Sequence, residues 1–192
     1  MATLNTSGAV HILNPDALYV TPLVKKSNGE YSKEGAEATY KLSEVIRDTT
    51  TITQEDPTEN RIENEFGAAP IENNIQLGSY TFSAEVADMK QDLLVALCGY
   101  VKGEATDRTY APASYTAIYA EIALVFKTDG GKYIAAVLPK VQLNSKATFD
   151  SLSTSMGRIT LAGTGLNLAV TDGTGTKETP FYIDTNWTTA EL

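Results

Sequence analysis

The sequence predicts a mainly β protein, either a two-sheet β-sandwich or a half-barrel. One short flanking α-helix is expected at about residues 88–98, and a long β-hairpin at about 114–144. Three observations lead to this prediction: strand-like alternation dominates the chain, a Gly-rich turn joins two long apolar runs, and one segment has apolar residues at helical spacing. The length of 192 residues suits a single domain, 1–192.

The helix follows directly on a strand. In the stretch GSYTFSAEVADMKQDLLVALCGY, which begins at Gly78, apolar residues occupy every second position from Tyr80 to Val86, as in a strand with one buried face. Asp88 then stands where an N-cap belongs, and Gly99 offers a left-handed stop. The later helical positions are almost all apolar, so this helix needs cover on more than one side.

The long hairpin is the best-specified element of the chain. Ser114 to Asn144 forms two runs around Thr128-Asp129-Gly130-Gly131, a turn rich in residues that accept positive φ angles. Both runs carry apolar residues on both faces, and in the first run only Glu121 interrupts them. Pro139 has no N–H to donate, so it predicts a bulge or an edge position in the second run.

Two polar stretches have no clear pattern. The first is a long loop at about 44–74, which carries six acids against Arg61 alone between Glu55 and Glu72. Structureless loops of this length are uncommon in compact domains, and they are either solvated insertions or functional segments that a partner orders. The second is the Gly/Thr-rich stretch at about 171–192, in which Trp187 is an apolar anchor and which predicts a C-terminal arm.

The charge and the reactive residues disfavour nucleic-acid binding and catalysis. The 15 basic and 24 acidic residues give a net charge of −9, whereas a grip on DNA or RNA needs clustered positive charge. The single histidine, His11, lies in an apolar strand candidate without a second ligand, and Cys98 lies among apolar helix positions. The acids of the polar loop lack the spacing of a calcium loop. We therefore expect no enzyme, no catalytic residues, no metal and no cofactor.

The first residues of the chain and the length of its apolar runs indicate in which cellular compartment the protein is expected. No apolar run approaches the length needed to cross a bilayer, and the first residues lack the features of a secretion signal. These observations favour the cytoplasm.

The chain combines an apolar helix with long strands that are apolar on both faces. This pattern predicts more apolar surface than a single chain of this size can cover, which is typical of a self-associating protein. The alternative is a two-layer sandwich in which the helix caps one sheet and the chain itself covers both hairpin faces.

The layout resembles that of the major tail proteins, or tail tube proteins, of long-tailed bacteriophages and their prophage relatives. The resemblance rests on the strand–helix–Gly segment from Gly78 to Tyr100 and on its surroundings: N-terminal strands, a long polar loop, a long hairpin and closing strands. It extends from Leu42 to Val170.

The resemblance implies a virion structural protein that assembles into homo-hexameric rings, which stack into a hollow tube. DNA passes through this conduit without specific binding, and other tail proteins are the further partners. The subunit would reside in the host cytoplasm before assembly and in the virion tail afterwards. On this basis the residues expected at contacts between subunits are Leu94, Val95, Cys98, Tyr119, Val125, Glu55, Asp56, Glu59 and Trp187.

Two other classes of protein remain open. One is a β-sandwich binding module, an adhesin subunit or a carbohydrate-binding domain, in which some of the ten tyrosines would stack on sugars. The other is an enzyme with dispersed carboxylates, although spacing alone brings no pair of acids together.

Overall fold

The structure, a computed structural model, describes residues 12–36, 38–63, 70–104, 108–114, 116–149 and 157–188. Within these residues the protein is mainly β, with one short helix, one large antiparallel sheet and four two-stranded sheets. The predicted fold class is therefore confirmed. No helix in the described part of the chain has the length and apolar character to cross a membrane.

The elements, in chain order, are the strands β1 (Ile12–Pro22), β2 (Val24–Lys25), β3 (Tyr31–Ser32), β4 (Tyr40–Leu42), β5 (Thr51–Gln54), β6 (Thr58–Glu63), β7 (Pro70–Gln76) and β8 (Tyr80–Val86), the helix α1 (Gln91–Cys98), and the strands β9 (Val101–Lys102), β10 (Thr109–Tyr110), β11 (Ile118–Thr128), β12 (Tyr133–Leu143), β13 (Lys146–Thr148), β14 (Arg158–Gly165), β15 (Leu168–Asp172), β16 (Gly175–Thr179) and β17 (Tyr182–Asp184).

The large sheet curls around the main apolar core. Its strand order is β4-β1-β11-β12-β14-β8-β5, with β13 also paired to β14 and β17 to β12. Leu42 of β4 and Ile52 of β5 come from opposite ends of this order, yet both pack in the same apolar cluster. The chain leaving β4 also reaches β8, because the backbone N–H of Ile46 donates to the carbonyl of Glu85. The sheet thus wraps its core in the manner of the predicted half-barrel.

The long hairpin spans β11 and β12, within the predicted range, and it contains the predicted bulge. Two residues of β12, Pro139 and Lys140, face the single residue Glu121 of β11. Proline fits there because a bulge leaves one residue out of the hydrogen-bonded ladder. The bulge also lies where β12 changes its second neighbour, from β17 before it to β14 after it.

The helix is shorter than predicted at its start. It begins at Gln91 with Lys90 in the N-cap position, so the prediction that Asp88 is the N-cap is wrong. The Asp88 carboxylate instead accepts a hydrogen bond from the Lys90 backbone N–H at 3.2 Å, just outside the helix. Gly99 ends the helix in the left-handed region, with φ of 71°, as predicted.

The long polar loop predicted at 44–74 contains three strands. β5 pairs with β8 at the edge of the large sheet. β6 and β7 pair with each other as an antiparallel two-stranded ribbon, called here the β6–β7 ribbon. The predicted loop is therefore strand at residues 51–54, 58–63 and 70–74, while residues 44–50 and 55–57 connect these strands.

The C-terminal arm predicted at 171–192 is also structured up to residue 188. β16 folds back on β15, and β17 then pairs with residues Ala135–Val137 of β12. Residues 189–192 lie outside the described residues. From residue 182 onward the described segment is docked on the body of the protein.

Candidate functional site

The second face of the long hairpin is covered by the chain itself. A separate apolar cluster on this face contains Val125, Trp187 and five further buried residues from β1, β11 and β12, with Tyr133 and Tyr182 packed against it. Trp187 is only 8% exposed. The free subunit therefore buries Val125 and Trp187, two of the residues expected at contacts between subunits, and the expectation of a bare second face on this part of the hairpin is wrong.

The helix is largely covered by its own subunit, since Asp92 is the one exposed residue among its eight. Leu94 is buried in the main core, whereas Val95 and Cys98 are half-buried. Burial raises the pKa of the Cys98 thiol to about 11, which makes it a poor nucleophile. Val95 and Cys98 thus offer only part of their surface to a partner, and Asp92 is the exposed residue of the helix.

Tyr119, on the hairpin, belongs to a small aromatic group. Its ring centroid lies 4.4 Å from that of Tyr31, which follows the short β2–β3 turn. The Lys140 ammonium lies 4.3 Å from the centroid of Tyr31 and 5.2 Å from that of Tyr119. This cation–π contact holds the β2–β3 turn against the hairpin, so Tyr119 serves the subunit's own structure.

The predicted acidic residues lie where the β6–β7 ribbon leaves the large sheet. Glu55, Asp56 and Glu59 are all exposed, and the Ser79 hydroxyl donates a hydrogen bond to the Glu55 carboxylate. At this point the two strands approach so closely that a Cβ on Gly78 would lie 1.8 Å from the backbone oxygen of Glu55. A residue with a side chain at position 78 would therefore force these two chain segments apart.

The β6–β7 ribbon extends the edge of the large sheet away from the core. Its strands continue β5 and β8, and within the described residues they pair only with each other. Two large apolar side chains at its base are exposed, Ile75 by 61% and Leu77 by 81%. An isolated two-stranded ribbon is only marginally stable in water, so packing against another surface would stabilise this one.

Strand β5 is the last strand at one end of the large sheet. Its sequence, Thr-Ile-Thr-Gln, contains none of the charges or prolines that natural proteins use to protect an edge. No other described strand pairs with its outer side, which leaves backbone donors and acceptors available for a further strand.

A cleft of about 910 Å³ opens beside the bulge of the hairpin. Glu121 lies at its floor and is 6% exposed, and its Oε1 accepts a hydrogen bond from Lys33 Nζ at 3.1 Å. Burial raises the pKa of the Glu121 carboxyl, and the Lys33 ammonium acts in the opposite direction. The sequence marked Glu121 as the charge that interrupts the apolar residues of this strand but did not reveal the cleft.

No chemical centre of the kinds considered from the sequence comes together in the described residues. In that part of the chain, no group of three or more His, Cys, Asp and Glu side chains could hold a metal ion. His11 lies outside the described residues. The features that distinguish the molecule are surfaces: the ribbon, the β5 edge and the cleft.

Comparison with known proteins gives no family assignment. No protein-family model matches the chain, and a search of curated proteins finds no significant match.

Proposed function

We propose that the protein is a self-assembling structural subunit of a bacteriophage or prophage tail tube. The observation that carries this proposal is the β6–β7 ribbon, a long two-stranded projection that continues an unprotected sheet edge. Such a projection gains little from its own subunit and much from a neighbour.

The β5 edge supplies a way to join subunits side by side. A neighbouring sheet that pairs with Thr51–Gln54 satisfies backbone groups that the subunit leaves open. When β5 pairs with β4, the strand at the other end of a neighbouring sheet, the contact joins two different surfaces. Contacts of this head-to-tail kind form closed rings when the rotation between subunits allows it, here hexamers.

The ribbon supplies a way to stack the rings. It projects from the subunit at Gly78 and carries exposed Ile75 and Leu77 at its base. Packing these side chains against the next ring buries apolar area and orders both strands, so rings stack into a tube. Val95 and Cys98 on the helix are candidates for further contacts between subunits.

The charge suits a conduit for DNA. The chain carries nine more acidic than basic residues, and Glu55, Asp56 and Glu59 are exposed near the sheet edge. Negative surfaces repel phosphates and release no counterions on contact, so DNA slides along such a wall without being held. Neither a cofactor nor a chemical step enters this function, and the assembled protein resides in the virion tail.

Electron microscopy of negatively stained, concentrated protein tests the proposal. We expect rings or tubes for the natural sequence, and a loss of stacking in Gly78→Ala, because the new Cβ clashes with the Glu55 backbone and turns the ribbon. Gly173→Ala is the matched control, since a Cβ at that position meets no atom within 4 Å.

A second variant separates assembly from folding. Leu77→Ser alters a side chain that is almost wholly exposed, so the subunit should keep its thermal stability while stacking weakens. A natural protein that stays monomeric in sedimentation velocity at every concentration and salt level contradicts the proposal.

A further inference from the structure

We propose that the cleft beside the hairpin bulge is a binding site for an organic cation that carries an alkylammonium group, with Glu121 as its anionic anchor. This site is separate from the ribbon and the β5 edge, so it does not rest on the proposed function.

The position of Glu121 is the first argument. A carboxylate in the middle of an apolar strand costs stability unless a cation or hydrogen-bond donors satisfy it. Glu121 faces Pro139 and Lys140 across the bulge, and bulges commonly re-aim side chains next to functional sites. The cleft opens beside this bulge, with Pro139 and residues of β15 and β17 in its wall.

The chemistry of the cleft wall is the second argument. Tyr31 and Tyr182 line it, and four acids, Glu34, Glu121, Asp172 and Asp184, outnumber its two lysines. Tyrosine rings and a carboxylate together favour an organic cation over an anion or a neutral ligand, because the ring faces and the carboxylate both attract positive charge. The Lys140 ammonium, which does not line the cleft, lies 4.3 Å from the centroid of the Tyr31 ring, so this ring already attracts a cation elsewhere in the subunit.

Lys33 indicates which cation fits. Its ammonium reaches the Glu121 carboxylate at 3.1 Å, although 55% of its side chain is exposed and it lies just after the two-residue strand β3. An ion pair with so exposed a lysine contributes little free energy, so the Lys33 ammonium can leave Glu121 for solvent at a small cost in stability. Lys33 therefore occupies the site as an internal alkylammonium that an external one can displace.

The test is a titration followed by NMR on dilute protein, below the concentration of any assembly. Butylamine reproduces a lysine side chain, and butanol is its neutral counterpart. We expect saturable shifts with butylamine and none with butanol. Glu121→Gln should weaken binding roughly tenfold or more, the usual effect of removing a charge-assisted hydrogen bond. Glu34→Gln, at the exposed rim, should change it less than about twofold.

Lys33→Ala separates a binding site from a merely structural ion pair. Removing the internal competitor should tighten butylamine binding by roughly two- to fivefold, which corresponds to a partly exposed ion pair. Weaker binding in Lys33→Ala, or unchanged binding in a folded Glu121→Gln variant, would overturn the proposal. So would equal shifts with butanol.

Two further measurements identify the source of the cation, and either positive result supports the site. Spermidine that binds with the same variant pattern and leaves sedimentation unchanged identifies a free polyamine. Self-association that butylamine reverses, and that Glu121→Gln abolishes, identifies a lysine of a second copy. If neither probe produces a saturable shift, the cleft is not a cation site.

Discussion

Replacing Trp187 by alanine should be strongly destabilising, because this residue covers the second face of the long hairpin. A buried indole removes about 150–250 Å² from water, which at about 25 cal/mol per Å² corresponds to about 4–6 kcal/mol. The indole N–H makes no hydrogen bond within the described residues, and its desolvation offsets about 1–3 kcal/mol of that gain. We therefore expect Trp187→Ala to lower the free energy of unfolding by about 1–5 kcal/mol.

Urea denaturation followed by far-ultraviolet circular dichroism measures this loss, and a dye that binds apolar surface reports the uncovered face. Trp187→Phe is the matched control. It keeps most of the apolar cover and removes the unpaired donor, so it should stay within about 1 kcal/mol of the natural protein. An alanine variant with unchanged stability and no gain in dye binding would refute the view that the C-terminal segment holds this cluster together.

Three other predictions concern single groups. Burial raises the pKa of Glu121 above its usual 4.5, so the folded protein loses stability as the pH rises through the raised pKa and the carboxyl ionises. Glu121→Gln should therefore have a higher melting temperature than the natural protein at about pH 8. The difference between the two melting temperatures should vanish as the pH falls towards 4.5. The pKa of Cys98 is about 11, against a usual 9.0, so the fraction of thiolate is lowered roughly 100-fold. Iodoacetamide should therefore label Cys98 correspondingly more slowly in the folded protein than in the urea-unfolded chain. Equal labelling rates would contradict the burial of this thiol. Gly99→Ala places a side chain at a φ of 71° and should lower the free energy of unfolding by about 1 kcal/mol, with an unchanged urea midpoint as the contrary result.

The sequence predicted those elements whose signals are local. The strand from Tyr80 to Val86 and the long hairpin both appear because alternation and turn residues act over a few positions. The bulge at Pro139 could be predicted for the same reason. Proline has no N–H to donate, so it does not fit a regular hydrogen-bonded position inside a sheet, whichever strands are its neighbours. The helix start was misplaced because Asp88 can bond to the Lys90 N–H just before the helix as readily as it can cap one.

The β6–β7 ribbon was missed because its alternation is carried by charge rather than by apolar residues. Glu59, Arg61 and Glu63 occupy every second position of β6, a pattern that an apolar periodicity leaves unseen. Pairing of β6 with β7 gives that alternation a regular structure. A search for period-two charge would have found it.

The cover over the hairpin could not be predicted from the hairpin itself. The apolar pattern around Val125 requires a partner surface but does not distinguish a second subunit from a distant segment of the same chain. In the structure Trp187 of the same chain covers this surface. Its position depends on the path of the chain through β15, β16 and β17, which is tertiary packing rather than a local pattern. The same path opens the cleft above Glu121, which is why neither feature had a local signal.

Internal cover of the hairpin changes the kind of interface that the proposed assembly can use. What remains is the backbone edge of β5 and the ribbon that continues it. A four-residue edge offers about four outward hydrogen-bonding groups, each contributing about 0.5–1.5 kcal/mol, or about 2–6 kcal/mol together. Association costs about 4–15 kcal/mol in lost freedom, so one edge contact barely holds two subunits. Ring closure and ribbon stacking must therefore act together, and assembly should begin sharply at a threshold concentration rather than proceed through stable dimers.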